Sequence, residues 1–211
     1  MKITEGQAEV VGMYLGDGYI YKDRNKNRYQ IGFVGSPKTD IGLFERLREL
    51  IKKEWGKDVK FGTRARGLRM VFRLKEMSDF FIKDLGLPFG EGKCERIKIP
   101  PEIYGKWNLA KKTIRGFMDT DGSVFVSKKP GIERYPTMEI TTTSRILANQ
   151  LRPILLEKGF RVTNIRASTS KLSKRMAYRV PLHGRKNLKK WLEEIGFSNK
   201  YKLDRAKNYI Q

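Results

Sequence analysis

The chain holds one cysteine, Cys94, and one histidine, His183, among 211 residues. A lone cysteine excludes an intramolecular disulfide and any zinc site built from several cysteines, and a lone histidine excludes His-rich metal centres. A Ser-His-Asp or Cys-His hydrolytic engine would have to run on His183, which sits in the basic, polar stretch from Pro181 to Lys186. Long apolar runs are missing as well. The longest, Val10 to Leu15, is broken by Gly12 and is far short of the ~20 residues of a membrane span. The opening segment lacks a signal-peptide core, which predicts an intracellular setting: cytoplasm or nucleoid, or an organelle in a eukaryote.

Acidic residues are scarce. There are 23 Asp and Glu against 45 Lys and Arg, a formal net charge of +22. Hydrophobic residues at 39% and aromatics at 11% are too many for a disordered basic tail, so the surplus belongs to a folded protein. Charge of this size repels itself unless an acidic partner is present. A membrane surface calls for a basic amphipathic helix or a lipid anchor, and neither is seen. Heat adaptation raises Glu together with Lys, and here Glu does not keep pace. A nucleic acid, whose counterions are released on binding Lys and Arg, is the expected partner.

The sequence repeats itself. Val10 to Gly18 follows the pattern apolar, x, Gly, apolar, apolar, x, small, Asp, Gly, and Ile114 to Gly122 follows it again, with Asp17 and Asp121 lying 104 residues apart. Each copy leads into two strand-like runs, Tyr19 to Lys22 and Arg28 to Val34, then Ser123 to Ser127 and Pro136 to Thr142. Next comes a helical run closed by glycine, at Gly56 and at Gly159, in keeping with a C-terminal cap. Two further alternating runs follow, Val59 to Thr63 with Leu68 to Leu74, and Val162 to Thr169 with Arg175 to Leu182. A short helix closes each half, Glu76 to Leu85 and Arg185 to Ile195. The order is α-β-β-α-β-β-α twice, which predicts halves at 1–87 and 107–211 with a linker at 88–106 carrying Pro88, Pro100 and Pro101. Two homologous halves are expected to pack about a pseudo-two-fold axis, a symmetry suited to a pseudo-palindromic duplex.

On these residues the chain resembles the LAGLIDADG homing endonucleases of the single-chain, two-motif type, over about residues 5 to 205. The resemblance implies an α+β fold of two halves, each with a four-stranded antiparallel DNA-binding sheet, packed through the two motif helices. It implies a monomeric endonuclease that hydrolyses one phosphodiester on each strand of a long pseudo-palindromic site. In the family the last acidic residue of each motif is a metal ligand, and it maps onto Asp17 and Asp121. The residue chemistry agrees. Gly12 and Gly116 allow two helix backbones to approach, which would bring Asp17 and Asp121 together at the helix ends. Two hard carboxylates beside a phosphate suit Mg²⁺, with Mn²⁺ or Ca²⁺ as substitutes for binding and the backbone of Gly16 and Thr120 as further candidate ligands. Asp119 takes the earlier acidic position, but Leu15 replaces it in the first copy, so it is not counted as a ligand. An EF-hand fails, because Val124 and Pro130 stand where its loop needs Gly and Glu. A haloacid-dehalogenase-like reading of Asp119-x-Asp121 fails because the copy at Asp17 lacks the first Asp.

The family often carries a basic residue between the second strand and the following helix, and Lys38 matches that place. Thr143 stands there in the second half, with Arg145 or Lys98 as candidate substitutes. Strand alternation assigns a polar, DNA-facing set: Tyr21, Arg28, Gln30, Arg64, Arg66, Arg69 and Arg73 in the first half. In the second half it assigns Phe125, Ser127, Lys129, Thr137, Glu139, Thr141, Arg166, Ser168, Ser170, Arg175 and Arg179. Lys189, Lys190, Lys200 and Lys202, outside the sheets, are expected on phosphate. The absence of splicing residues at the chain ends points to an intron origin. The alternative is an RNA-splicing maturase acting on intron RNA, or a non-cutting DNA-binding protein of the same fold.

Overall fold

The structure is a computed structural model that describes residues 2–23, 28–169 and 175–210. Helix α1 (Glu5–Leu15) leads into β1 (Gly18–Asp23), β2 (Arg28–Gly35), α2 (Ile41–Trp55), β3 (Phe61–Arg64), β4 (Gly67–Phe72) and α3 (Lys75–Asp79), the last running into a π turn, Phe80–Asp84. Two short helices follow, α4 (Lys93–Arg96) and α5 (Pro101–Tyr104). Then α6 (Trp107–Asp121), β5 (Gly122–Lys129), β6 (Ile132–Thr142), α7 (Arg145–Glu157), β7 (Arg166–Thr169), β8 (Met176–His183) and α8 (Arg185–Glu194) repeat the first series, and α9 (Lys200–Asn208) is added at the end. Both sheets are antiparallel, in the orders β1-β2-β4-β3 and β5-β6-β8-β7. The fold is thus the expected α+β arrangement of two repeated halves. Residues 88–106, expected as linker, hold α4 and α5 and pack on the second half, where Gln150 exchanges two side-chain hydrogen bonds with the backbone of Ile99, at 2.8 and 3.1 Å.

Local chemistry sets the helix ends. Thr4 and Gln7 form a reciprocal capping box at the start of α1, and Ser144 accepts from Leu147 N at the start of α7. Gly56 ends α2 at φ 67°, where a side chain would be strained. One face of each sheet is apolar. Ile20, Ile31, Phe33, Leu68 and Met70 are buried with Leu43, Phe44, Leu47 and Ile51 of α2, while Val124, Met138, Ile140, Val180 and Leu182 are buried with Leu147, Leu151, Leu155 and Trp191. The helices cover that face and leave the other for solvent or a partner.

The halves meet through α1 and α6, and glycine sets how closely. A Cβ at Gly12 would lie 2.8 Å from the Thr113 carbonyl carbon and 2.9 Å from Phe117 N, and one at Gly116 would lie 2.8 Å from Met13 N. Thr113 Oγ1 donates between the two helices to the Ala8 carbonyl, at 2.8 Å. Beside it lies a buried carboxylate, Glu9, 1% exposed. It is held by Arg115, by Arg46 at 3.3 Å and by Ser198 Oγ at 2.6 Å. Burial alone would raise the Glu9 carboxyl, but Arg115, Ser198 and Arg46 outweigh it and hold it below its ordinary value. Breaking such a pair strands a buried charge. Glu9→Leu is therefore expected to cost about 3 kcal/mol in urea unfolding. With the folded pKa depressed, the stabilisation is present above the ordinary carboxylate pKa and lost as pH falls through the folded value. The wild type should accordingly lose stability in acid more steeply than Glu9→Gln.

Candidate functional site

The two motif helices end side by side. A Cβ at Gly16 would lie 2.8 Å from Thr120 Cβ and 3.1 Å from Asp121 Oδ2, so Asp121 reaches across to the end of α1, next to Asp17. The Asp17 carboxyl is pushed up to about 7, first by burial, then by the like charges of Asp121 and Asp40, against the opposing pull of Lys202 and Lys93. Asp121 opens on a cleft of about 280 Å³ lined by Leu15, Gly16, Cys94, Ile97 and Thr141 to Thr143. Loss of hydration raises its carboxyl to about 6, with Lys93 and Lys202 opposing.

Two lysines complete the site in matched positions. Lys93, in α4, donates to the carbonyls of Tyr14 at 2.5 Å, Gly16 at 3.2 Å and Gly18 at 2.5 Å, around the C-terminal end of α1. Lys202, in α9, donates to the carbonyls of Met118 at 2.9 Å, Asp119 at 2.7 Å and Thr120 at 3.0 Å, around the end of α6. Each ammonium satisfies carbonyls that a helix end leaves open and sits at the negative end of its dipole. Burial lowers the Lys93 ammonium to about 8, with Asp121 and Asp17 opposing the shift, and burial likewise lowers Lys202. The carbonyls of Gly16 and Thr120, named from sequence as candidate metal ligands, are thus each engaged by a lysine. Lys202 was expected on phosphate; it turns inward because three carbonyls converge on it.

Lys38, by contrast, is exposed in the turn between β2 and α2, its N–H bonded to Ser36 Oγ at 3.2 Å. It is not among the charges acting on Asp17 or Asp121. Arg145 and Lys98 are exposed as well. Thr143, where a second basic residue was sought, donates to the Cys94 carbonyl at 3.0 Å and lines the cleft beside Asp121. Asp119 is 1% exposed and accepts from Ser198 N at 2.8 Å, which removes it from the cleft. Asp40, missed in the sequence, adds a third negative charge near Asp17. It is fixed by Ser36 N at 2.7 Å, Thr39 Oγ1 at 2.9 Å and Asn199 Nδ2 at 3.0 Å.

The donor set fits a divalent cation. Two neighbouring carboxylates that burial keeps from ionising freely are relieved by a cation between them, and hard oxygen donors suit Mg²⁺, Mn²⁺ or Ca²⁺. Among the described residues no group of three or more His, Cys, Asp or Glu forms a protein-only site. The remaining ligands would come from phosphate oxygens and water.

The outer faces of the sheets carry the polar set. Tyr21 is 60% exposed and pairs with Gln30 across β1 and β2. Arg28, Arg64 and Arg69 are exposed on the same sheet, Arg73 just past the end of β4, and Arg66 on the β3–β4 turn. In the second half Arg166 and Arg179 both pair with Glu139, at 2.8 and 3.5 Å, and Arg179 donates to Ser168 Oγ at 2.7 Å. Phe125 and Thr141 share that face. Thr137 lies on it but is 1% exposed, sealed between Ser127 Oγ at 3.0 Å and His183 Nδ1 at 3.1 Å. Lys129 folds over the Tyr135 ring, 4.1 Å from its centroid. Arg175 turns to Glu95 of α4, at 3.1 Å, and Ser170 lies outside the described residues. Lys189 and Lys200 are exposed, and Lys190 bonds Glu194.

Residues 108–196 match the family model described as a LAGLIDADG-like domain. Known structures share the architecture. I-DmoI in complex with DNA and Mn superposes with a TM-score of 0.63 at 14% identity, covering 91% of this chain and 96% of that one. I-WcaI bound to its DNA recognition sequence gives 0.61 at 14% identity, over 100% and 88%. The second half thus matches a LAGLIDADG-like domain, and the whole chain shares the two-half fold of these structures. Similar sequences also occur within larger proteins. A replication factor C small subunit of Methanocaldococcus jannaschii is 30% identical over 99% of this chain, and one of Thermococcus kodakarensis is 26% identical over 97%. This chain spans only 10% and 21% of those two relatives' lengths.

Proposed function

We propose that the protein is a site-specific endonuclease for double-stranded DNA, acting as a monomer and cutting one phosphodiester on each strand of a long pseudo-palindromic site. The carrying observation is the meeting of Asp17 and Asp121 at the ends of two glycine-packed helices, each flanked by a lysine turned inward onto the helix-end carbonyls, between two basic sheets. A divalent cation held by the two carboxylates would activate water and stabilise the leaving oxygen. Gly12 and Gly116 set the spacing of the carboxylates. Lys93 and Lys202 fix the helix ends that carry them and lend positive charge where phosphate would sit. The outer faces hold the duplex in register so that each scissile phosphate meets the pair.

Incubating the chain with a randomised duplex library and Mg²⁺, then sequencing cut ends, tests the reading. One recurring sequence broken on both strands is expected; tight duplex binding without cleavage in Mg²⁺ or Mn²⁺ would favour the non-cutting alternative. In the relatives the matched segment is a minor part of a longer polypeptide, so the coding sequence around such a segment joins the intron junction as a place to look for the target. Lys93→Met and Lys202→Met should each slow cleavage by about 10-fold or more, measured in single turnover, the scale of removing one charge donor. Lys→Arg should not restore the rate, because three converging carbonyls fit a compact ammonium and not a planar fork.

A further inference from the structure

We propose that the far ends of the two sheets carry a matched pair of binding sites for backbone phosphates, with the second-half site dominant; this rests on duplex DNA lying along the outer faces. Counted from the equivalent strand pairs Phe33↔Met70 and Ile140↔Val180, both sites open three residues further from the motif helices, at Arg73 and His183. There β4 runs into α3 and β8 into α8.

In the second half a cavity of about 590 Å³ is lined by Lys129, Arg134, Arg161, Arg185 and Lys186, with Tyr135 and His183 forming its wall toward the sheet. Among the described residues, no carboxylate lines it. The Tyr135 and His183 rings stack at 6.2 Å, and α8 begins at its rim without a side-chain cap, at Gly184. Burial first, then the charges of Lys129 and Arg166, against the weaker pull of Glu139, hold the His183 ring below its ordinary pKa. The matching cavity in the first half, of about 470 Å³, is lined by Arg28, Tyr29, Arg73, Lys75 and Lys83. There Asp79 binds Lys75 at 2.7 Å and Lys83 at 3.0 Å, so two of its cations are already neutralised.

An occupant must therefore be anionic, meet both halves at equivalent points, and be continuous with the outer faces. A duplex backbone does all three. Six-residue β1 and eight-residue β5 span about 20 and 26 Å at ~3.3 Å per residue. The sites open about 10 Å beyond the strand pairs counted above and end with the strands, so they lie within about six and eight base pairs of the carboxylate pair, at ~3.4 Å per pair.

The test uses the full chain and a random-sequence duplex in EDTA, with affinity followed against salt. Arg185→Gln with Lys186→Gln is expected to flatten the log–log slope by nearly 2 units, about 0.9 for each phosphate no longer neutralised. The control pair Lys53→Gln with Lys57→Gln, exposed on and beyond α2, removes the same charge and should leave the slope unchanged. Asp79→Asn, which frees two cations in the first-half cavity, should steepen it. Equal slopes for the cavity pair and the control pair would overturn the proposal. A wild type that shows no salt-dependent duplex binding would overturn the DNA reading beneath it, a result distinct from equal slopes in a chain that binds.

Discussion

Gly116→Leu is expected to unfold the protein or to lower its stability in urea by about 3 kcal/mol or more, the upper end of overpacking costs. Core substitutions usually find flexible neighbours that can shift. At Gly116 the new atoms would meet Met13 N, at 2.8 Å, and the carbonyl of Glu9, which are backbone groups of a facing helix. Neither can move without separating α1 from α6. Gly12→Leu should behave alike, since it meets the backbone of Thr113 and Phe117. Gly62→Ala is the control: nothing lies within 4 Å of a Cβ there, and its effect should stay within about 0.5 kcal/mol. Unchanged midpoints for the two motif glycines would mean that the helices do not meet as described. Because the carboxylates sit at the ends of these helices, the same substitutions remove the site along with the stability.

Asp17→Asn and Asp121→Asn should each reduce cleavage by about 10³-fold or more, because the several kcal/mol of charge stabilisation that a bound ion supplies goes with its ligand. Duplex affinity in EDTA should stay the same or tighten. Both carboxylates face the place where phosphate would lie, burial raises Asp17 to about 7 and Asp121 to about 6, and the repulsion that Asp121 adds at Asp17 is relieved when Asp121 is neutral. This pattern, cleavage abolished with binding kept, separates a ligand of the reacting centre from a residue needed for folding. Binding that disappears in parallel with cleavage would place the two residues in the scaffold instead.

The parts of this molecule that are periodic were readable in its sequence. Alternation located the strands to within a few residues, and the repeated Gly and Asp positions located the helix packing and the paired carboxylates. Burial of Ile31 and Phe33, with Tyr29 half-buried beside them, against exposure of Arg28 follows directly from pleat alternation. The rest depends on single residues that arrive from far along the chain. Lys93 and Lys202 look like any of the 45 basic residues, and no local pattern says which ammonium will be buried on three carbonyls. One signal was available: they lie 109 residues apart, close to the motif spacing of 104, and each follows the helix that closes its half. Lys38 had the better local argument, yet its turn leaves it in solvent. The inward turn of Ser198 and Asn199, which bind Glu9, Asp40 and Asp119, is likewise a product of tertiary packing. Thr137 shows the opposite limit, since alternation placed it on the correct face but could not foresee that Ser127 and His183 close over it.

The divalent-cation site itself can be mapped without knowing the DNA target. Fe²⁺ loaded in place of Mg²⁺, with ascorbate and peroxide, generates hydroxyl radicals that cut the polypeptide beside the ion. Two cuts are expected in one chain, next to Gly16 to Gly18 and next to Thr120 to Gly122, suppressed by excess Mg²⁺ and absent from Asp17→Asn and Asp121→Asn. Cuts elsewhere, or cuts at these positions that survive both substitutions, would contradict a cation held between Asp17 and Asp121.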